Sequence, residues 1–122
     1  MRLRIVLCFA LAGFALAGCA SRIPPDIQAY RHAPYERISG TSMLPLIHDG
    51  QRCLVDGIAY NRIQRGQDVS FYSPFYCEYV THRVVGGVPG HWITQGINNP
   101  RPDPGYVDAA NYVATVIVIF PK

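Results

Sequence analysis

Apolar and polar residues alternate most clearly over residues 77–85, CEYVTHRVV, where Tyr79, Thr81, Arg83 and Val85 point one way and Glu78, Val80, His82 and Val84 the other. A period of two is the mark of a half-buried strand. Shorter runs of apolar and β-branched residues, RCLVD at 52–56 and DVSFY at 68–72, are bounded by glycine and polar turns and read as two more strands. GGVPG at 86–90 predicts a turn into HWIT at 91–94, and YVATVIVIF at 112–120 predicts a last strand apolar enough to be buried on both faces. NNPRPDPG at 98–105 carries Pro100, Pro102 and Pro104 and reads as a long rigid loop. Residues 21–37, with Pro24, Pro25 and Pro34 among polar neighbours, read as an extended tether. No helical periodicity follows the first 18 residues. The pattern predicts one mainly β domain over residues 38–122.

A chain of 122 residues has room for a single such domain. Its first 18 residues stand apart: Arg2 and Arg4 precede the apolar run IVLCFALAGFALAG, the layout of a secretory signal. The run is shorter than the roughly 20 residues that span a bilayer comfortably. Leu16-Ala17-Gly18-Cys19 resembles a lipobox, the pattern at which a bacterial lipoprotein precursor is cut before a lipid-modified cysteine. That resemblance implies a lipid on Cys19, a tether over residues 19–37 and a place in the bacterial cell envelope on the periplasmic side. Ala20, rather than aspartate, after the cysteine implies the outer membrane.

The net charge of +3 comes from scattered arginines, with no basic run, so nucleic acid is not an expected partner. Cys53 and Cys77 lie in the body of the domain. They read either as a disulfide formed outside the cytoplasm or as two small buried hydrophobes. No His/Cys spacing suits zinc, and no cofactor is implied.

The candidate nucleophile is Ser42, in SGTSMLPLI at 39–47, a glycine-flanked loop ahead of the 52–56 strand. A serine hydroxyl needs a base within hydrogen-bond reach. The chain's single lysine is Lys122, its last residue, which leaves histidine. His32 lies in the tether, His48 beside Asp49 in a turn, and His91 at a strand start after the Gly86–Gly90 turn. His82, mid-strand between Val80 and Val84, is either a packed core group or an oriented neutral base. Asp103, clamped by Pro102 and Pro104, either shapes a turn or orients that base.

Taken in order, these boxes resemble the type I signal peptidases and the related LexA-type self-cleaving repressors. SGTSMLP is similar to their Ser-Met-x-Pro box, DGQRCLVD and RGQDVSFYSP to their two Gly-Asp strand elements, and THRVV and TQGINNPRPDP complete the series. Histidine in the third strand is typical of the branch found in the endoplasmic reticulum and archaea. The resemblance implies a coiled antiparallel β domain, with Ser42 as nucleophile, His82 as general base and Asp103 orienting it. It also implies an oxyanion site at the Ser42 N–H, aided by Thr41 or Ser39, and an apolar groove at Met43 and Pro45. An extended peptide of an exported protein would be the partner. Gln51 and Gln67 depart from the family's aspartates, and Ile97 replaces another in its Gly-Asp-Asn-Asn box. The alternatives are a non-catalytic module that binds extended peptides and a structural envelope lipoprotein.

Overall fold

A computed structural model describes residues 23–57 and 60–122. The expected leader at 1–18 and the expected lipidation site Cys19 lie outside the described residues. Six antiparallel strands form one sheet in the order β1-β2-β6-β3-β4-β5: β1 Tyr35–Arg37, β2 Arg52–Asp56, β3 Asp68–Ser73, β4 Glu78–Val88, β5 His91–Gln95 and β6 Tyr112–Ile119. The chain is mainly β, as its alternation predicts. Among the described residues no helix is long and apolar enough to cross a membrane.

Irregularities in the ladder fall between Leu54 and Val55 facing β6, Ser70 and Phe71 facing β6, and Val84 and Gly86 facing β5. Each such break adds local twist, so the sheet curls and buries a cluster on either side. Met43, Ile47, Cys53, Val55, Tyr72, Val113 and Ala114 fill one side, with Tyr79 packed against them. Ile63, Val69, Phe71, Val84, Val107 and Tyr112 fill the other, with Val80 and Trp92 against them. Tyr79 therefore faces the first cluster and Val80 and Val84 the second, the alternation expected of β4.

Three expectations are corrected. The segment read as an extended tether is structured from Ile27 onward. Helix α1, Ile27–His32, packs its buried Ile27 into the first cluster, and β1 pairs with β2. Arg31 fastens the helix by donating to the carbonyls of Ala109, Ala110 and Tyr112. Gly57 permits this approach, since a Cβ there would sit 2.1 Å from the Arg31 carbonyl oxygen. Six residues are too few to print a helical period in the sequence.

The strand β6 is not buried throughout. Tyr112 to Thr115 are buried between β2 and β3, but Ile117 is 56 % and Val118 42 % exposed. The β3 ladder reaches only as far as the Val69–Thr115 pair, so the rest of β6 lacks cover on that side. The proposed Cys53–Cys77 bridge does not form, because Cys53 is a free buried thiol. β2, which carries Cys53, is separated from β3 and its hairpin by β6. Two strand spacings come to about 9.6 Å, beyond the roughly 7 Å that a disulfide tolerates between Cα atoms. Burial, first, and the neighbouring Glu36 and Asp68 push the Cys53 thiol up to about 11.

Candidate active site

The Ser42 loop joins β1 to β2 and is closed at its base. Ile38 N–H donates to the Gln51 carbonyl (2.9 Å), Gly50 N–H to the Ile38 carbonyl (2.7 Å) and Gly40 N–H to Asp49 Oδ1 (2.8 Å). Met43 and Ile47 plug into the first cluster, and the N–H groups of Leu46 and Ile47 both donate to the Met43 carbonyl. Apolar anchors C-terminal to Ser42 thus hold the loop down and leave Ser42 half-buried at its rim. Met43, only 1 % exposed, is a core residue and does not line an open groove. The apolar surface beyond the serine is instead Pro45 and Leu46, both exposed. Ser39 and Thr41 are exposed on the approach to Ser42.

His82 stands on β4 opposite Val69 and is 5 % exposed, with the Phe71 ring edge-on at 6.5 Å. Its Nε2 lies 2.9 Å from Ser42 Oγ and its Nδ1 2.6 Å from Asp103 Oδ2. Both bonds are satisfied when Ser42 donates to a neutral ring whose Nδ1–H donates to the carboxylate. Serine, histidine and aspartate, from three separate stretches of chain, form one continuous line. The other histidines lie elsewhere: His32 Nδ1 bonds the Gln28 carbonyl (2.8 Å), and His91 stacks on Tyr106 at 3.8 Å. His48 is half-buried in the Ser42 loop, where its N–H donates to Gln51 Oε1.

Several residues that build this line are absent from the sequence reading. Thr94, on β5 opposite Val84, donates its hydroxyl to Asp103 Oδ2 (2.7 Å) and accepts the Asp103 N–H on its carbonyl (2.7 Å). Asn98 N–H donates to the Ser42 carbonyl (2.8 Å), and its side-chain amide donates to the Thr41 carbonyl (3.1 Å). Gly96 passes so close to the candidate nucleophile that a Cβ there would lie 2.8 Å from the Ser42 carbonyl oxygen. TQGINN therefore matters through its backbone and amide, a role that the alternation of HWIT hints at only by turning Thr94 inward.

The departures from the family boxes have structural duties. Gln51 accepts from the His48 N–H and donates to the Phe120 carbonyl (2.7 Å), a donor role closed to aspartate. Gln67 accepts from the Gln64 N–H (2.9 Å) to close the turn ahead of β3, and Ile97 packs against the first cluster.

On the opposite side of the same strands lies a second polar group. Ser70 donates to Glu36 Oε1 (2.5 Å), and Thr81 Oγ1 lies 2.8 Å from Ser70 Oγ. Burial raises the Glu36 carboxyl above its ordinary range of about 4.5, against the opposing effect of the Ser70 hydrogen bond.

Compared with known proteins, the chain matches no family model, no curated protein and no solved structure. Any functional reading therefore rests on this geometry and the residues that build it.

Proposed function

We propose that the protein is a serine endopeptidase of the signal peptidase type, lipid-anchored in the cell envelope, that cuts an extended segment of an exported protein. The observation that carries the reading is the Ser42–His82–Asp103 line, with hydrogen bonds of 2.9 and 2.6 Å. Nucleophile and base lie within the 2.6–3.2 Å range that proton transfer requires.

In this mechanism Ser42 Oγ attacks the scissile carbonyl while His82 Nε2 takes its proton. Asp103 stabilises the imidazolium that forms and keeps Nε2 facing the serine. The Ser42 N–H, aided by the Thr41 or Ser39 hydroxyl, donates to the oxyanion. His82 then returns its proton to the leaving amine, and water enters by the same route to hydrolyse the acyl-enzyme. An extended peptide would bind by strand addition, with its side chains against Pro45 and Leu46. The lipid on Cys19 would keep the enzyme where exported substrates pass.

The test is cleavage of a diverse peptide library, read by mass spectrometry, with wild type, Ser42→Ala, His82→Ala and the double variant. Wild type should cut, each single variant should lose about a thousandfold or more, and the double should be little worse than either. Cleavage that survives both single changes would sink the mechanism. Peptide binding without cleavage by wild type would leave a peptide-binding module in its place.

A further inference from the structure

We infer that Thr94 is a positioning residue of this site, the group that fixes the rotation of the Asp103 carboxylate beneath His82. The inference rests on the serine peptidase reading above. Pro102 and Pro104 restrain the backbone on either side of Asp103. They do nothing for the carboxylate's own torsion, which is broad and roughly two-fold in an aspartate. That torsion decides whether an oxygen lies in line with His82 Nδ1–H.

Two donors converge on one atom: His82 Nδ1 and Thr94 Oγ1 sit 2.6 and 2.7 Å from the same Asp103 Oδ2. Thr94 holds Asp103 a second time, through the Asp103 N–H to its carbonyl at 2.7 Å. The two contacts clasp the acid at both its backbone and its side chain. Thr94 is itself immobile, being 1 % exposed and paired with Val84, two residues beyond His82 on β4. The base and the orienter of its acid are thus referenced to one strand pair.

The clasp also closes a loop. Residues 95–102 run out from Thr94 and return to Asp103, and between them Asn98 holds the carbonyls of Thr41 and Ser42. Release of the clasp would loosen the nucleophile's support together with the acid. A buried threonine that served packing alone would be replaced by valine without chemical consequence, since the two side chains are nearly the same shape.

The experiment compares Thr94→Val and Thr94→Ser with wild type in three readouts: kcat and KM on the library peptide cut fastest, thermal midpoint, and the far-downfield proton signal of His82 Nδ1–H. That signal is assigned by its loss in His82→Gln. Thr94→Val should lower kcat about tenfold to a hundredfold with KM within about threefold, and should shift or broaden the proton signal. Thr94→Ser, which keeps the hydroxyl, should recover most of both. If Thr94→Val folds poorly, Thr94→Ala reads the same hydroxyl. An unchanged kcat and unchanged proton signal in Thr94→Val would overturn the inference, as would a Thr94→Ser variant as impaired as Thr94→Val. Should wild type cut nothing, the peptidase reading fails by itself, and the proton signal alone still decides the role of Thr94.

Discussion

Two carboxyl groups lie against opposite faces of the β3–β4 pair, each bonded to hydroxyls, and their surroundings differ. Asp103 receives His82 Nδ1–H and the Thr94 hydroxyl, and its line ends at a half-buried serine on the rim. Among the described residues, buried Glu36 receives the Ser70 and Thr81 hydroxyls, with no histidine bonded to it. Burial is the largest influence on Glu36 and pushes it toward its neutral form, against the opposing pull of the Ser70 hydrogen bond. An acid, a serine and a threonine brought together from β1, β3 and β4 do not make a reactive site. The Ser42 site differs by a histidine in line and an opening to solvent, and β4 supplies the first by turning His82 one way and Thr81 the other.

That contrast can be broken most sharply at the acids themselves. Asp103→Asn should lower kcat by about 10⁴, because an amide facing Nδ1 favours the wrong ring tautomer. Glu36→Gln should leave kcat within about twofold. Comparable losses from both would mean that the two carboxyls share one function.

The next largest effect is on stability. Glu36→Ala leaves a cavity and two hydroxyls short of an acceptor, and should cost about 2–4 kcal/mol in denaturant unfolding. The library cleavage rate of the folded fraction should stay near wild type. A loss below about 0.5 kcal/mol would show that the Glu36 site is not sealed.

The smallest effect separates the charge states by pH. The folded Glu36 holds its proton above the unfolded value near 4.5, so its contribution to stability is fully present below that pH. The contribution is lost as pH rises toward the folded value, at no more than about 1.4 kcal/mol per pH unit. Glu36→Gln has no proton to lose. Relative to wild type it should gain stability as pH rises from about 4.5, seen in parallel unfolding curves. A difference that stays flat with pH would place an ionised carboxylate at Glu36.

Much of this arrangement is legible in the sequence. The strands 52–56, 68–73, 78–88, 91–95 and 112–119 follow runs delimited by glycine, proline and polar turns. His82 stands out as the candidate base because Lys122 is the last residue and the remaining histidines read as lying in the tether, a turn or a strand start. What stays hidden depends on pairing across the sheet. Glu36 reads as a polar residue in a proline-rich stretch until β1 joins β2 and turns it inward. Thr94 gains its meaning only from the return of the chain to Asp103, nine residues on. Helix α1 is held by Arg31 reaching the carbonyls ahead of β6, a contact between distant segments that no local pattern encodes. Met43 reads as groove-lining from its place beside Ser42, whereas the loop uses it as an anchor.

The position of β6 gives the chain a sense of timing. It is the last strand in sequence, yet it stands between β2 and β3 and is the only strand of the ladder that joins β1-β2 to β3-β4-β5. Ser42 hangs from the first group and His82 belongs to the second, so the two are brought together across a seam that β6 closes. A ribosome reaches residues 112–119 only after every residue of the site has been made. The growing chain therefore holds Ser42 and His82 on two separate strand groups until the final strand pairs with both.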